Sequence, residues 1–273
     1  MTLPPRLGIL DWGIGGLGVL RALRRRTRRV PVLYLSDSGF TPYGLLSRSA
    51  LAARVSTLTQ QLVAWGATHV VIACNAASTV LDQLESSSER AVPVTGVIAP
   101  VLARIPKSLR GTLGVLGGAR TIRSGLYLRG LAGPGRRIVQ RIAQPLSAHV
   151  EAGSTESTRC AQDLERILRP LRSADALLLA CTHYPALFQR IQERAPRALL
   201  IDPAEALVDQ LLSATGLPSG AAGDRILSTG DARRTRSVAT RAWGFDPGPC
   251  VRVRIPSASV ERTPRRPSSV RLL

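Results

Sequence analysis

The chain has 273 residues, 44% of them hydrophobic, with 37 basic and 18 acidic side chains and a formal charge of +19. It is too long for one small domain, comfortable for two of moderate size, and apolar enough for real cores. No apolar run approaches a membrane span, and an aromatic content of 4% argues against a stacking platform for single-stranded nucleic acid.

Residues 1–6 hold two prolines and lead straight into a strand, so the expectation is no signal peptide and a soluble, cytoplasmic protein without a membrane partner. The four cysteines are then expected to be reduced. Lys107 is the only lysine and every other basic residue is arginine, which points to compositional bias as much as to a task. The positive charge attracts anions, but charge alone is a weak criterion, so nucleic acid is kept only as an alternative partner. The oligomeric state, homodimer included, is not set by the sequence.

Residues 7–10 read as a strand, followed by the turn Asp11-Trp12-Gly13-Ile14-Gly15-Gly16 and a helix over 17–25. Gly-x-Gly-Gly is not the dinucleotide fingerprint. Asp11 is a candidate polar site residue, with a helix N-cap as the alternative. The arginine cluster at 24–29 reads as the solvated end of a helix. Residues 32–35 form a second strand ending at Ser36-Asp37, and Pro42 and Gly44 mark a loop over 38–44. Tyr43 and Gly44 could offer a hydroxyl and an N–H to a carboxylate, or simply make a turn. A helix over 49–65 places Leu51, Val55, Leu58, Leu62 and Val63 on one face and ends at Gly66.

Residues 69–74 form a strand ending at Cys74, and 76–85 read as a helix. Cys74 would thus precede a helix N-terminus, a position that favours a thiolate and an anionic ligand. A strand over 94–98 and a passage from Pro100 lead to the second half. There, strands are expected at 114–117, 139–142, 176–181 and 199–202. Helices are expected from 121–127, over 155–171, 185–194 and 204–212, with Glu151 on a loop over 149–153. A last strand is read at 225–228. From residue 256 onward Ser, Pro, Arg and Thr dominate, a tail expected to be disordered and basic. Cys160 and Cys250, in polar surroundings, receive no role.

The run from His69 to Cys74 and the run from Ala176 to Cys181 look like copies, each a short apolar stretch ending in cysteine and a small polar residue. Such runs read as buried strands of parallel sheets, whose carboxyl ends face ligands. Leu7-Gly8-Ile9-Leu10 and Leu113-Gly114-Val115-Leu116 extend the echo. The pattern implies an α/β fold of two similar halves, each a mainly parallel sheet flanked by helices, with a strand-end thiol from each half in one cleft.

Two opposed thiols can invert a carbon acid: one removes the α-proton and the other returns a proton to the opposite face. The usual pyridoxal route needs a lysine, and Lys107 lies in a surface-like turn, so no cofactor is expected. Cys74, Cys181 and His183 lack the paired spacing of a zinc site, so no metal is expected. A cysteine nucleophile with His183 as base would leave the second cysteine unused. Two inert buried cysteines remain the bland alternative.

The motifs Gly8-Ile9-Leu10-Asp11 with Gly13-x-Gly15-Gly16-Leu17, Asp37 with Pro42-Tyr43-Gly44, Ile72-Ala73-Cys74-Asn75-x-Ala77-Ser78, Thr121-x-Arg123-Ser124, Val150-Glu151-x-Gly153, Cys181-Thr182-His183-Tyr184-Pro185, Ile201-Asp202 and Thr229-Gly230-Asp231 run from residue 7 to about 253. On them the sequence resembles the glutamate racemases of the cofactor-independent aspartate/glutamate racemase superfamily. The resemblance implies a discontinuous first domain (1–98 plus 208–255), a second domain (99–207) and the tail 256–273, with the site between the domains. It implies Cys74 and Cys181 as acid/base thiols supported by Asp11, Glu151 and His183. Asp11, Trp12, Tyr43, Gly44, Asn75, Ala76, Thr182 and His183 would contact the substrate. The implied activity is interconversion of L- and D-glutamate, supplying D-glutamate for peptidoglycan. Trp12 and Ala76 depart from the family's serine and threonine and remove two hydroxyls. Losing a partner of a charged ligand costs about 1.5–3 kcal/mol. A different amino-acid substrate, or a non-catalytic basic paralogue that binds nucleic acid or a DNA-processing partner, are the alternatives.

Overall fold

Ten strands, all paired in parallel, make two sheets in a computed structural model that describes residues 3–85 and 92–255. The tail from residue 256 lies outside the described residues. In chain order the strands are β1 (Arg6–Asp11), β2 (Val32–Ser36), β3 (Ala67–Ile72), β4 (Val94–Gly96), β5 (Gly111–Gly117), β6 (Arg136–Ile142), β7 (Ala176–Ala180), β8 (Leu199–Ile201), β9 (Arg225–Ser228) and β10 (Cys250–Arg252). The first sheet is ordered β10-β9-β2-β1-β3-β4 and the second β6-β5-β7-β8. The chain thus leaves the first sheet after β4 and returns to it with β9.

The helices are α1 (Leu17–Arg26), α2 (Arg48–Ala64), α3 (Asn75–Ser78), α4 (Leu81–Glu85), α5 (Ile98–Arg104), α6 (Ala119–Arg123), α7 (Leu126–Leu131), α8 (Gln144–Ala152), α9 (Thr158–Leu168), α10 (Phe188–Arg194), α11 (Pro203–Ser213) and α12 (Ala232–Trp243). The two-half α/β expectation holds. Strands β1, β2 and β7 are buried at every residue, so they are continuous apolar runs rather than alternating ones. One apolar cluster runs from Leu7, Leu17 and Leu23 through Val101 and Leu207 to Leu116 and Leu178, joining the sheets. A second lies between β2, β3 and α2 around Leu35, Leu58 and Ile72. The expected domain junction at 207/208 falls inside α11, which packs on α1 and α5. Among the described residues no helix is long and apolar enough to cross a membrane.

Several expectations are corrected. Residues 149–153 are not a loop: Glu151 lies in the last turn of α8. Leu146 and Val150, one turn apart, are buried beneath that helix, Pro145 stands in its first turn, and Gly153 closes it with φ +67°. The helix expected over 76–85 is two short ones. The Ser78 hydroxyl donates to the Ile72 carbonyl and the Thr79 hydroxyl to Ala76, diverting the backbone between α3 and α4. Ile98 opens α5 instead of closing a strand, and the helix begun near Thr121 breaks at Ser124-Gly125. Cys160 is not in polar surroundings but fully buried on α9.

Helix α12 and strand β10 have no counterpart in the sequence reading. Asp231 caps α12, and Thr235, Val238, Ala239 and Trp243 are its buried residues. Five of its twelve residues are Arg or Ser, which masks that spacing.

Candidate active site

The carboxyl ends of the central strands converge. Asp11 ends β1, Cys74 lies two residues past β3, Gly118 follows β5 and Cys181 follows β7. A cavity of about 380 Å³ lies between them, and both Cys74 and Cys181 line it. Trp12, Tyr43, Gly44, Asn75, Ala76, Glu151, Thr182 and His183 line it as well. Asp11 stands just behind this wall. All the residues expected at the site are thus brought together. Trp12 does not plug the space: its indole N–H is tied to the Phe40 carbonyl at 3.0 Å, and the ring forms wall.

The Gly-rich turn is shaped by close approach. A β-carbon on Gly13 would collide with the Glu151 carboxylate, and one on Gly15 would stand 2.7 Å from His183 Nδ1. Only glycine lets the first half's backbone reach the second half's side chains here. The Ile14 N–H uses that approach and donates to Glu151 Oε1 at 2.7 Å. Asp11 braces the same turn, accepting from the Trp12 and Gly16 N–H groups, and its Oδ2 takes the Thr182 hydroxyl at 3.0 Å from the opposite half. Asp11 is therefore not the helix N-cap, a position held by Gly16, but the brace of the turn that leads into the helix.

On the second half, His183 Nδ1 lies 3.6 Å from Cys181 Sγ, and its Nε2 lies 2.6 Å from Glu151 Oε1. Burial alone would pull the imidazole down. The hydrogen bonds and charges of Cys181 and Glu151 outweigh it and hold His183 well above the usual histidine range. Burial would likewise raise the Glu151 carboxyl, but bonding to His183, its charge, the Ile14 N–H and the Arg234 charge bring it below the ordinary value. Glu151 and His183 form an ion pair at the cavity wall.

Cys74 behaves otherwise than its position suggested. Burial, followed by the Asp11 charge, pushes its thiol well up, and the single N–H of Ala77 does not offset them. A four-residue helix supplies too little field, and the nearest charge is a carboxylate instead of a cation.

The walls are held from outside. Asn75 Oδ1 accepts the Tyr127 hydroxyl at 2.6 Å, which leaves its amide nitrogen buried and without a partner among the described residues. Tyr43 does not present its hydroxyl to the cavity as expected. That hydroxyl donates to Asp37 at 2.9 Å, and Asp37 also pairs with Arg54 and accepts from Thr229. Across the cavity, Arg120 donates to the carbonyls of Tyr43 and Leu46, tying the 43–46 loop to the second half. Thr121, Gln144, Ser147 and Arg234 also line the cavity, and none was among the expected site residues. Thr121 stood in a quoted motif and was legible, whereas the other three arrive on helices whose packing is set by distant strands.

Lys107 is exposed and does not line the cavity, and among the described residues no cluster of His, Cys, Asp and Glu could hold a metal ion.

Residues 7–211 match the family described as Asp/Glu/Hydantoin racemase. The chain is 35% identical over 251 residues to a glutamate racemase of Ralstonia pickettii, covering 88% of this chain and 89% of that one. It is also 35% identical over 205 residues to a glutamate racemase of Aquifex pyrophilus, covering 74% and 80%. Among solved structures, glutamate racemase from Thermus thermophilus in complex with beta-chloro-D-alanine superposes with a TM-score of 0.80 at 30% identity, covering 93% of this chain and 98% of that one.

Proposed function

The chain belongs to the Asp/Glu/hydantoin racemase family and is an amino-acid racemase, and on that premise we propose that it interconverts L- and D-glutamate with Cys74 and Cys181 as its two acid/base groups. The observation that carries this reading is their shared cavity, each thiol entering it from a different sheet. The substrate comes from the names of the relatives.

Cys74 enters as the thiol and Cys181 as the base. His183 holds the Cys181 proton, and Glu151 steadies the resulting imidazolium. The Cys181 thiolate removes the α-proton, and the electron pair left on carbon spreads into the α-carboxylate. Cys74 delivers its proton to the opposite face. The product leaves a Cys74 thiolate and a Cys181 thiol, which is the starting state for the reverse direction. The Thr182 hydroxyl ties the second half to Asp11, and Asp11 in turn meets the Cys74 thiol. The Asn75 amide nitrogen and the N–H of Gly44 are the donors assigned to substrate oxygens, with Thr182 and His183 beside the α-carbon. Tyr43, through its backbone, and Trp12 and Ala76 complete the wall. No cofactor enters this chemistry.

D-Glutamate made in this way would feed cytoplasmic synthesis of peptidoglycan precursors. The test is incubation of the protein with L-glutamate in deuterated water, following optical rotation and α-proton loss. Absence of exchange with glutamate sinks the proposal. Because Trp12 and Ala76 line the cavity, aspartate and neutral amino acids belong in the same panel.

A further inference from the structure

Resting on the racemase reading of the cavity, we infer that Arg234 is the specificity-determining residue that selects a substrate with a second carboxylate. Arg234 lies in the first turn of α12, its backbone N–H bound to Asp231 Oδ1 at 3.0 Å. Its side chain lines the cavity. The other cavity-lining residue able to carry positive charge is His183, which is already engaged by Glu151. A dicarboxylic amino acid brings one more negative than positive charge to a wall that already holds the Glu151 carboxylate. Among the described residues the free cation on that wall is Arg234.

Several other arginines are paired, and those that are not do not line this cavity. Arg24 pairs with Asp224, Arg26 with Asp209, Arg48 with Asp82, Arg54 with Asp37 and Arg236 with Asp246. The Arg234 guanidinium has no hydrogen bond or ion pair among the described residues, although its charge reaches Glu151. Its place also runs against helix stability, because a cation near a helix N-terminus meets the positive end of the dipole. Helix and guanidinium together aim positive potential at the cavity mouth. The helix is held there by Trp243, whose indole N–H donates to the Ile14 carbonyl at 2.9 Å.

The test compares wild type, Arg234→Ala and Arg234→Lys on glutamate and on its neutral isostere glutamine, at low and high salt. Arg234→Ala should raise KM for glutamate about two- to fivefold, the range of an exposed charged contact. Its kcat should stay within about twofold, and its kinetics with glutamine should be unchanged. Arg234→Lys should recover most of the loss. High salt should erode the wild-type preference for glutamate and leave Arg234→Ala unmoved. The thermal midpoint of Arg234→Ala should be no lower than wild type, which separates recognition from folding. Equal shifts for both substrates, or none, overturn the inference. If wild type racemises nothing, the racemase reading falls by itself. Thermal shift by glutamate against glutamine then decides Arg234 alone: equal or absent stabilisation in wild type and Arg234→Ala overturns the inference.

Discussion

Glu151 Oε1 stands 2.6 Å from His183 Nε2, and the same oxygen accepts the Ile14 N–H from the opposite half of the molecule. Together with Cys181 this oxygen holds the imidazole charged, and it fastens the Gly-rich turn over it. Its consequence for stability has a definite sign. The His183 pKa is raised above its ordinary 6.5, so its contribution is fully present below pH 6.5 and fades as pH rises through the folded value. The Glu151 pKa is lowered from 4.5, so its contribution is fully present above pH 4.5 and fades as pH falls through the folded value. The pair is therefore worth most between those ordinary values. Thermal melts of wild type and Glu151→Gln across pH should differ most in that window and converge on either side. A difference that does not vary with pH would contradict the ion pair.

The two strand-end thiols should be told apart by a reagent. Cys74 is buried with its thiol pushed up, while Cys181 is half-buried beside His183. Iodoacetamide at neutral pH should label Cys181 before Cys74, and glutamate should protect it. Cys160 is buried and Cys250 is pushed up to about 11, so both should lag. Peptide mapping by mass spectrometry reads the order, and prior labelling of Cys74 would reverse the assignment. Replacing either Cys74 or Cys181 by Ala should reduce racemisation by at least about a hundredfold, the scale of general acid–base assistance.

Gly13→Ala puts a methyl group into the Glu151 carboxylate. The carboxylate must turn away from Ile14 and His183, and overpacking of this kind costs about 1–3 kcal/mol. Turnover should fall with it. Gly133 is the control: its added β-carbon would meet nothing within 4 Å. Gly133→Ala should leave activity and midpoint unchanged or slightly raise the latter by restricting the unfolded chain. Equal effects at both positions would mean the close approach is unimportant.

Asp37 and Arg54 are an ion pair with side-chain exposures of 0% and 5%. Arg54→Met removes one partner and leaves a buried carboxylate that also carries the Tyr43 and Thr229 hydroxyls. Such a break costs about 3–5 kcal/mol, read as a fall in the urea midpoint. Asp37→Asn combined with Arg54→Met should recover a large part of it, because no uncompensated charge remains. A double variant less stable than the single one would show that the Asp37 carboxylate is held chiefly by the Tyr43 and Thr229 hydroxyls and not by Arg54.

Arg120→Ala frees the 43–46 loop from the second half. KM for glutamate should rise and kcat change less, because the loop carries the proposed Gly44 donor and neither of the proposed acid/base groups. A lowered kcat at unchanged KM would move Arg120 from substrate binding to the chemical step.

Much of this site could be read locally. Strands buried on both sides must be continuous apolar runs, so β3 and β7 announced themselves, and with them the cysteines at their ends. The glycines of the 13–16 turn were equally plain, though not what they make room for. The helix start beside Cys74 was legible as a local feature, whereas the burial and the Asp11 charge that push its thiol up were not. Glu151 meets Ile14 across 137 positions of chain, and Tyr127 meets Asn75 across 52. Arg234 reaches the cavity only because β9 rejoins the first sheet beside β2 and sets α12 against the Gly-rich turn. Patterning along the chain is governed by which faces must leave water, a property of a few neighbouring residues. Which charge stands next to which thiol is governed by how the sheets pack, and only the folded chain decides that.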